Sequence, residues 1–336
     1  MERYLEFRID KQTTEIKIEA FLKKNAGLTK RQISQAKFRP DGITKNGIRC
    51  RVTETAYPGD VIRICLEEAQ TASAHLENYN RKIGNKNQTD FYCDEASVPI
   101  SETSLSLDIL YEDTDILAVN KPAGMVTHPT GMHYADSLSN LVADYFRKKN
   151  EQVCVRPVGR LDQETSGIVV FAKNQVAASR LQSANSPCKI CKQYLAIVSG
   201  ALSVDEPDVW HTIDLPLMQD PENHLKMKTA VSLSGKIKTA VTHYHTIFSS
   251  QDWALITLKL DTGRTHQIRV HMASMGHPLL GDTLYQKNNT EHSFQRAALH
   301  AWKVSFQHPF KDDLISLEAP LPEDFRAAIP SDFSIN

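Results

Sequence analysis

Hydrophobic and polar residues are distributed along the chain in a pattern that predicts three regions. Short apolar segments separated by turn residues run from about residue 10 to 66, and denser apolar segments run from Leu107 to about Phe325. Between them, residues 67 to 106 are polar and show no hydrophobic period, which is typical of a linker. We therefore predict a small domain over residues 1–66, a linker over 67–106 and a large domain over 107–336.

The first region has the pattern of two short helices packed on a small sheet. Helices are predicted over Ile18–Lys24 and Thr29–Phe38, and Thr29 is suited to cap the second of them. Asn46-Gly47, between two short segments rich in β-branched residues, is typical of a two-residue hairpin turn. A further strand is predicted over Val61–Leu66. These elements predict a small α/β domain.

In the third region, segments that alternate with a period of two are interspersed with segments of helical period. The last predicted helix begins at Thr265, which is suited to cap it, and ends before Gly276. The predicted helices are Ser137–Lys149, Asn174–Ala184 and Thr265–Met275, and the predicted strands are Gly167–Lys173, Gln193–Ser199, Thr239–Phe248 and Trp253–Leu260. They predict an α+β domain with a large, mostly antiparallel mixed sheet flanked by helices.

The net charge of −1 conceals an uneven distribution of charge. Ala20–Cys65 holds ten Lys and Arg against three Asp and Glu, whereas Leu66–Leu107 holds three against seven. A basic patch attracts phosphate backbones without reading their sequence. An ordinary solvated face explains the same pattern equally well. The basic residues that we expect to bind a phosphate backbone are Lys30, Arg31, Lys37 and Arg39.

Several functions lack the motifs that they would require. No run approaches the roughly 18 apolar residues of a membrane span, and the charged start MERYLEFRIDKQ shows no secretory signal, so we expect a cytoplasmic protein without membrane contact. The sequence contains no P-loop, GxGxxG after a strand, HExxH or GxSxG motif. Cys188 and Cys191 form a lone CxxC without a second pair, so we predict no metal site.

One carboxylate stands where catalytic groups are often held. Asp162 lies in the segment RLDQETSG, a predicted loop that leads directly into the buried strand GIVVFAK. Arg160 is two residues away, so in an extended backbone the two side chains share a face. Asp162, kept ionised by nearby positive charge, is a candidate nucleophile or base. The alternative is an ordinary loop aspartate that binds backbone N–H groups.

A second group of polar residues follows a predicted strand in the segment TGRTHQIRVH. The chain turns at Gly263 and begins a helix, on which His266 and Arg269, three residues apart, are expected to share a face. Arg264 lies at the positive end of this helix, where phosphate is favoured. The pattern predicts an anion-binding site at the start of the helix.

Longer motifs resemble the RluA family of pseudouridine synthases. The segment VGRLDQETSGIVVFAKN is similar to the family's central motif, in which RLD and TSG precede a hydrophobic strand. The segments ILYEDTDILAVNKPAGMVTHPTG, KQYLAIVSG and TGRTHQIRVHMASMGHPLLGDTLY resemble further family motifs in the same order. The resemblance covers nearly all of Leu107 to Phe325. The basic N-terminal unit resembles the S-four-like RNA-binding domain that many members carry.

The resemblance implies roles for individual residues. Asp162 corresponds to the essential aspartate, Tyr194 to the tyrosine that packs on the target base, and Arg269 to the basic residue that pairs with the aspartate. Arg160 corresponds to the arginine associated with flipping the target nucleotide out of its stack. Gly159 departs from the family, which often has histidine there, and this leaves the details of target recognition open.

The resemblance also implies an isomerase that converts uridine in RNA to pseudouridine with no cofactor. The N-terminal unit favours large-subunit ribosomal RNA as the partner, with transfer RNA as an alternative, and we expect a monomer. A glycoside or nucleoside hydrolase would require a second carboxylate beside Asp162. A catalytically silent RNA-binding or ribosome-assembly factor is the alternative function.

Overall fold

The computed structural model describes residues 4–24, 27–65, 106–130, 133, 136–151, 153–183, 186–230, 236–286, 294–333 and 335. The linker expected over 67–106 lies outside these residues, except for its last position. The domain boundaries at 66 and 107 therefore stay a prediction.

The N-terminal unit contains two helices and a small antiparallel sheet. Its helices are α1 (Ile18–Lys24) and α2 (Lys30–Lys37), and Thr29 and Gln32 form a capping box at the start of α2. The strands are β1 (Tyr4–Arg8), β2 (Ile16–Lys17), β3 (Ile43–Lys45), β4 (Ile48–Arg49), β5 (Thr55–Ala56) and β6 (Val61–Cys65). The main sheet has the order β1-β6-β3-β4, and β2 pairs with β5.

The hairpin turn predicted in this unit is confirmed. Asn46 and Gly47 join β3 to β4 with φ angles of 51° and 80°. Both residue types tolerate positive φ, which a two-residue turn of this hand requires.

The large unit is built on a ten-stranded sheet. The strands are β7 (Ile109–Glu112), β8 (Ile116–Lys121), β9 (Arg156–Val158), β10 (Ser166–Ala172), β11 (Cys191–Ser199), β12 (His211–Asp214), β15 (Val241–Ser249), β16 (Trp253–Leu260), β17 (Leu299–Gln307) and β18 (Leu314–Glu318), while β13 (Leu217–Gln219) and β14 (Met227–Thr229) form a separate pair. The strand order in the sheet is β12-β15-β16-β11-β17-β10-β8-β7, with β18 paired to β17 and β9 to β10. Of the strand pairs that the structure describes in this sheet, β10–β17 is parallel and the others are antiparallel, as the sequence predicted.

Four helices of the large unit are described: α3 (Leu138–Lys148), α4 (Gln175–Gln182), α5 (Gln267–Ser274) and α6 (Glu323–Ala328). The Thr265 cap predicted for α5 is wrong, because the N-cap is His266 with φ 55° and no side-chain cap bond. Gln267 stabilises this turn instead, since its Oε1 accepts from the Arg264 N–H at 3.0 Å and from Thr262 Oγ1 at 2.9 Å. In the described part of the chain, no helix is long and apolar enough to cross a membrane.

The two faces of the large sheet pack against different helices. On one face, α3 and α5 contribute Phe146 and Ile268 to the cluster that contains Tyr194. On the other face, α4 packs beside β10 through Leu181, and α6 contributes Phe325. Since successive strand residues point to opposite faces, β8, β10 and β11 each contribute to clusters on both faces.

The N-terminal unit contacts the large unit through α2 and α4. Gln32 Nε2 donates to the Gln175 carbonyl oxygen at 3.2 Å. Val176 belongs to the same buried apolar cluster as Leu22 and Ile33 of the N-terminal unit. The two units therefore share part of one hydrophobic core.

Gly167 allows the close approach of β10 and β17, so we predict that Gly167→Ala destabilises the protein. The residue has φ +110°, and an added Cβ would lie 2.2 Å from the Ala301 carbonyl oxygen. Overpacking and strained backbone each cost about 1–3 kcal/mol, so we expect a loss of roughly 3 kcal/mol in the free energy of unfolding. Urea denaturation followed by circular dichroism measures the change.

The matched control is Gly263→Ala, since φ at Gly263 is not positive and no atom lies within 4 Å of an added Cβ. Its unfolding free energy should stay within about 1 kcal/mol of wild type. Equal midpoints for the two variants would contradict the close approach.

Candidate active site

The loop before β10 carries Asp162 and is fixed by Thr127. Leu161, which is buried, donates its N–H to Thr127 Oγ1 at 3.1 Å, and the Thr127 hydroxyl donates to the Leu161 carbonyl oxygen at 2.9 Å. The Thr165 N–H closes the loop by donating to the Asp162 carbonyl oxygen at 3.1 Å. The backbone on both sides of the Asp162 side chain is therefore held in place.

A buried ammonium group joins this loop to the segment after β8. Lys121 Nζ donates to the carbonyl oxygens of Pro122, Met125 and Gln163 at 2.9, 2.7 and 3.2 Å. Burial and then the Arg296 charge lower the pKa of this fully buried lysine to about 7, while the Asp162 charge opposes the shift. Three acceptors match the three N–H bonds of the charged form, so the geometry favours the ammonium.

The carboxylate of Asp162 is half-buried and has no protein partner among the described residues. None of them donates a hydrogen bond to it or lies within ion-pair distance. Its charge nevertheless acts on Tyr194, His266 and Arg269, which surround it. A half-buried carboxylate without a protein donor is left for water or a ligand to bind, which is typical of a functional site.

Tyr194 borders the carboxylate from β11. Its side chain is 7% exposed and lies on the sheet face covered by α3 and α5. Burial and then the charge of Asp162 raise the pKa of Tyr194 well above its usual range, so the phenol is neutral at physiological pH. A neutral hydroxyl and an aromatic face are therefore available beside Asp162.

The ion pair between Arg269 and Asp162 that the resemblance implied is not formed. Arg269 instead donates Nε and Nη2 to Asp282 at 2.7 and 2.6 Å, and Nη2 lies 3.1 Å from Glu164. Asp282 is fully buried, and leaving its carboxylate unpaired would cost roughly several kcal/mol. The Arg269 guanidinium therefore stays paired with Asp282. Arg269 acts on Asp162 from beyond 4.0 Å.

His266 and Tyr285 form another side of the site. His266 Nδ1 lies 2.9 Å from the Tyr285 hydroxyl, which accepts from the Met227 N–H at 2.8 Å. Burial lowers the pKa of His266 below its usual value while Asp162 raises it, and the imidazole is neutral at pH 7. His266 is at the left-handed turn before α5 rather than on the helical face expected for it.

The predicted RNA-binding residues are distributed over both units. Arg160 is exposed. Burial lowers the pKa of His128, and the Arg160 charge lowers it further. Arg264 is half-buried and donates Nε to the Thr239 carbonyl oxygen at 3.0 Å. On the N-terminal unit, Lys30, Arg31 and Lys37 are exposed, while Arg39 is half-buried with Nη1 3.3 Å from Cys65 Sγ.

Among the described residues, Asp113, Asp115 and His308 are grouped closely enough to hold a metal ion. Hydrogen bonds occupy these groups. Asp113 Oδ1 accepts from the Asp115 N–H at 2.7 Å, and its Oδ2 lies 2.8 Å from His308 Nε2. Asp115 Oδ1 accepts from Asn174 Nδ2 at 2.7 Å. The arrangement is explained as a hydrogen-bonded junction that joins β7, β8 and the end of β17.

Several residues of this site were not predicted. Lys121 is the last residue of the mostly buried strand ILAVNK. A single lysine at the end of such a strand was the feature of the sequence that could have indicated its role. Glu164 and Asp282 stood inside the motifs RLDQETSG and LLGDTLY, but nothing local links them to Arg269. Their pairing is long-range and required the fold.

The chain is similar to known RNA-modifying enzymes. The model of the family described as RNA pseudouridylate synthase matches residues 115–274. Over 261 residues the chain is 41% identical to the uncharacterized RNA pseudouridine synthase YhcT of Bacillus subtilis (strain 168), covering 77% of this chain and 83% of that protein. Over 233 residues it is 38% identical to the ribosomal large subunit pseudouridine synthase D of Zymomonas mobilis, covering 66% and 71%. The structure of human RNA pseudouridylate synthase domain containing 1 matches with a TM-score of 0.50 and 25% identity, covering 65% of this chain and 84% of that one.

Because Lys121 holds three carbonyl oxygens, we predict that Lys121→Met loosens the loop around Asp162. Methionine cannot donate to the Pro122, Met125 and Gln163 carbonyl oxygens, so the free energy of unfolding should fall by roughly 3 kcal/mol. Amides of residues 159–165 should exchange with deuterium faster than in wild type, as measured by mass spectrometry.

Lys148→Met is the matched control, because this side chain is 74% exposed and forms only a surface ion pair with Asp144. Its stability and loop exchange should equal those of wild type. If Lys121→Met also left exchange of the loop unchanged, the ammonium would not fix the position of Asp162.

Proposed function

This chain belongs to the RNA pseudouridylate synthase family, and we propose that it isomerises specific uridines of large-subunit ribosomal RNA, with Asp162 as its catalytic carboxylate. The assignment of Asp162 rests on one observation. Its half-buried carboxylate receives no hydrogen bond from any described residue, and it lies on a loop that Lys121 and Thr127 hold in place. The similarity to the ribosomal large subunit enzyme of Zymomonas mobilis supports ribosomal RNA rather than transfer RNA.

The reaction explains why one carboxylate suffices. In pseudouridine formation the C1′–N1 glycosidic bond breaks, the uracil rotates, and a C1′–C5 bond forms while the C5 proton is lost and N1 gains one. No atom is added and no electron is transferred overall, so we expect no cofactor. The Asp162 oxygens are free either to attack the nucleotide or to take the C2′ proton, and both routes are compatible with their position.

Tyr194 and Arg269 have different roles in this proposal. The ring of Tyr194 stacks on the loosened uracil, and its neutral hydroxyl is suited to assist removal of the C5 proton. Arg269 is a fixed cation, since Asp282 and Glu164 hold it, and it contributes positive charge without occupying the Asp162 oxygens. Such preorganised charge stabilises charge that develops during the reaction.

The uridine can reach Asp162 only after its base leaves the RNA stack, which costs roughly a few kcal/mol. The exposed Arg160 beside Asp162 is suited to occupy the vacated position, and Arg264 to bind phosphate. Residues 1–66 are proposed as an S-four-like RNA-binding domain that adds backbone contacts. Its proposed contact residues are Lys30, Arg31, Lys37 and Arg39, and the protein is proposed to act as a cytoplasmic monomer.

We predict that Asp162→Asn abolishes pseudouridine formation and retains RNA affinity, because the amide keeps the shape and removes the charge. In a strain that lacks this protein, mapping of pseudouridine in large-subunit ribosomal RNA should reveal the missing site. Wild-type protein should restore it and Asp162→Asn should not. Asp252→Asn, at an exposed turn between β15 and β16, is the control and should restore it fully. Restoration by Asp162→Asn would refute the assignment, and an unchanged map in the deletion strain would refute the ribosomal target.

Tyr194→Phe tests whether the hydroxyl acts in the reaction. We expect the single-turnover rate at saturating RNA to fall by at least roughly 100-fold, the usual effect of a general acid or base, while RNA affinity stays within about twofold. The buried ring keeps its packing in this variant, so the fold is preserved. A rate equal to wild type would limit Tyr194 to stacking, and Tyr194→Ala would then measure the contribution of the ring.

A further inference from the structure

Lys192 lies at the start of β11, beside the loop that carries Asp162. It is two residues before Tyr194, whose pKa burial and then the Asp162 charge raise. The pairing of β11 with β17 shifts register between the two residues, since Lys192 is opposite Val304 and Tyr194 is opposite Ala301. The place of Lys192 in the site is therefore given by its own proximity to the loop, at Gly159.

The ammonium of Lys192 has no partner within the described part of the chain. The side chain is half-buried, and none of the residues that the structure describes accepts a hydrogen bond from Nζ or places a carboxylate within 4.0 Å. Burial alone lowers the pKa of Lys192 to about 8. A partly desolvated charge without a counter-charge is unfavourable, and an anion that arrives with a ligand removes this cost.

Gly159 leaves one side of this ammonium open toward the catalytic loop. An added Cβ at Gly159 would lie 3.8 Å from Lys192 Nζ, and any longer side chain would extend over the amine or beside it. The residue has φ +82°, a backbone conformation that glycine adopts without strain. The loop that carries Arg160 and Asp162 thus passes next to Nζ and has no side chain at Gly159 to fill the space beside it.

We propose that Lys192 binds a backbone phosphate of the RNA adjacent to the target uridine and so positions the ribose of that uridine at Asp162. The proposal rests on the proposed function, because it identifies the ligand as RNA. A phosphate provides the counter-charge that the protein does not, and it can reach the side that Gly159 leaves open.

Phosphate contact predicts a specific pattern of losses. Lys192→Met should weaken RNA affinity by about tenfold, the usual strength of one charge-assisted hydrogen bond, and make the salt dependence of log affinity shallower by about 0.7. The single-turnover rate at saturating RNA should fall much less than the affinity does. Lys192→Arg keeps the charge and should restore both the affinity and the salt slope.

The matched control is Lys259→Met. Lys259 is opposite Gln193 on β16, next to Leu258, which is opposite Tyr194. Its side chain therefore lies on the other face of the sheet from Tyr194, where it packs over Trp210. The variant removes the same charge from the neighbouring strand. Its RNA affinity and salt slope should remain those of wild type.

The decisive experiment combines the variant with a modified RNA. Full-length protein is titrated with a transcript of the large-subunit ribosomal RNA segment that contains the mapped uridine, and with the same RNA carrying one neutral methylphosphonate on either side of that uridine. One of the two substitutions should weaken wild-type binding about as much as Lys192→Met does, roughly tenfold. The same substitution should cause no further loss in Lys192→Met, as expected when both changes remove one contact.

The outcomes separate this proposal from the proposed function. Additive losses at both phosphates, or an unchanged affinity and salt slope in Lys192→Met, would overturn the role of Lys192 while wild type still forms pseudouridine. A wild-type protein that binds the transcript without forming pseudouridine would overturn the proposed function instead. The methylphosphonate titration of wild type requires no variant, so it decides the contact even if Lys192→Met folds poorly.

Discussion

Three carbonyl oxygens converge on the buried ammonium of Lys121, and the position of the Asp162 loop depends on this convergence. Two of the carbonyls belong to the segment after β8, and the third belongs to Gln163, directly after Asp162. The lysine therefore ties the two segments together, and the Gly124 N–H adds a further hydrogen bond to the Gln163 carbonyl oxygen at 2.9 Å. One buried cation thereby fixes the carboxylate without forming an ion pair with it.

A second network fixes the other end of the same loop. Arg296 Nη1 donates to the Glu164 carbonyl oxygen at 3.0 Å, while its Nε binds Asp324 at 2.7 Å. The Glu164 side chain lies 3.1 Å from Arg269, which Asp282 holds from the other side. The carboxylates of Asp324, Glu164 and Asp282 in this network are each paired with an arginine. The Asp162 carboxylate is not paired within the described residues, so it is the one left for a substrate to contact.

The sequence predicted elements whose signals are local, and it failed where partners are distant in the chain. The capping box at Thr29 and the turn at Asn46 each depend on a few neighbouring residues, and both were confirmed. The Thr265 cap failed because the helix begins one residue later, after His266 in a left-handed conformation, and the Gln267 side chain binds the Arg264 N–H of the turn. The Arg269–Asp162 pair failed because Asp282, thirteen residues beyond Arg269, is buried and holds the guanidinium. Motif order indicated which residues meet, but only packing determines which of them are paired.

Packing also changes how the N-terminal unit is understood. The polar segment after residue 66 predicted a domain separated by a linker, yet Val176 of the large unit lies in the N-terminal core, and Gln32 binds the backbone at Gln175. Helix α2 thus has two different sides. Its buried side contacts α4, while Lys30 and Lys37 remain exposed. These two lysines are seven residues apart, so they lie on one helical face. Since removal of this unit would expose Val176, a truncation changes packing as well as charge. A test of the RNA contacts proposed for this unit therefore neutralises its exposed basic side chains while α2 stays in contact with α4.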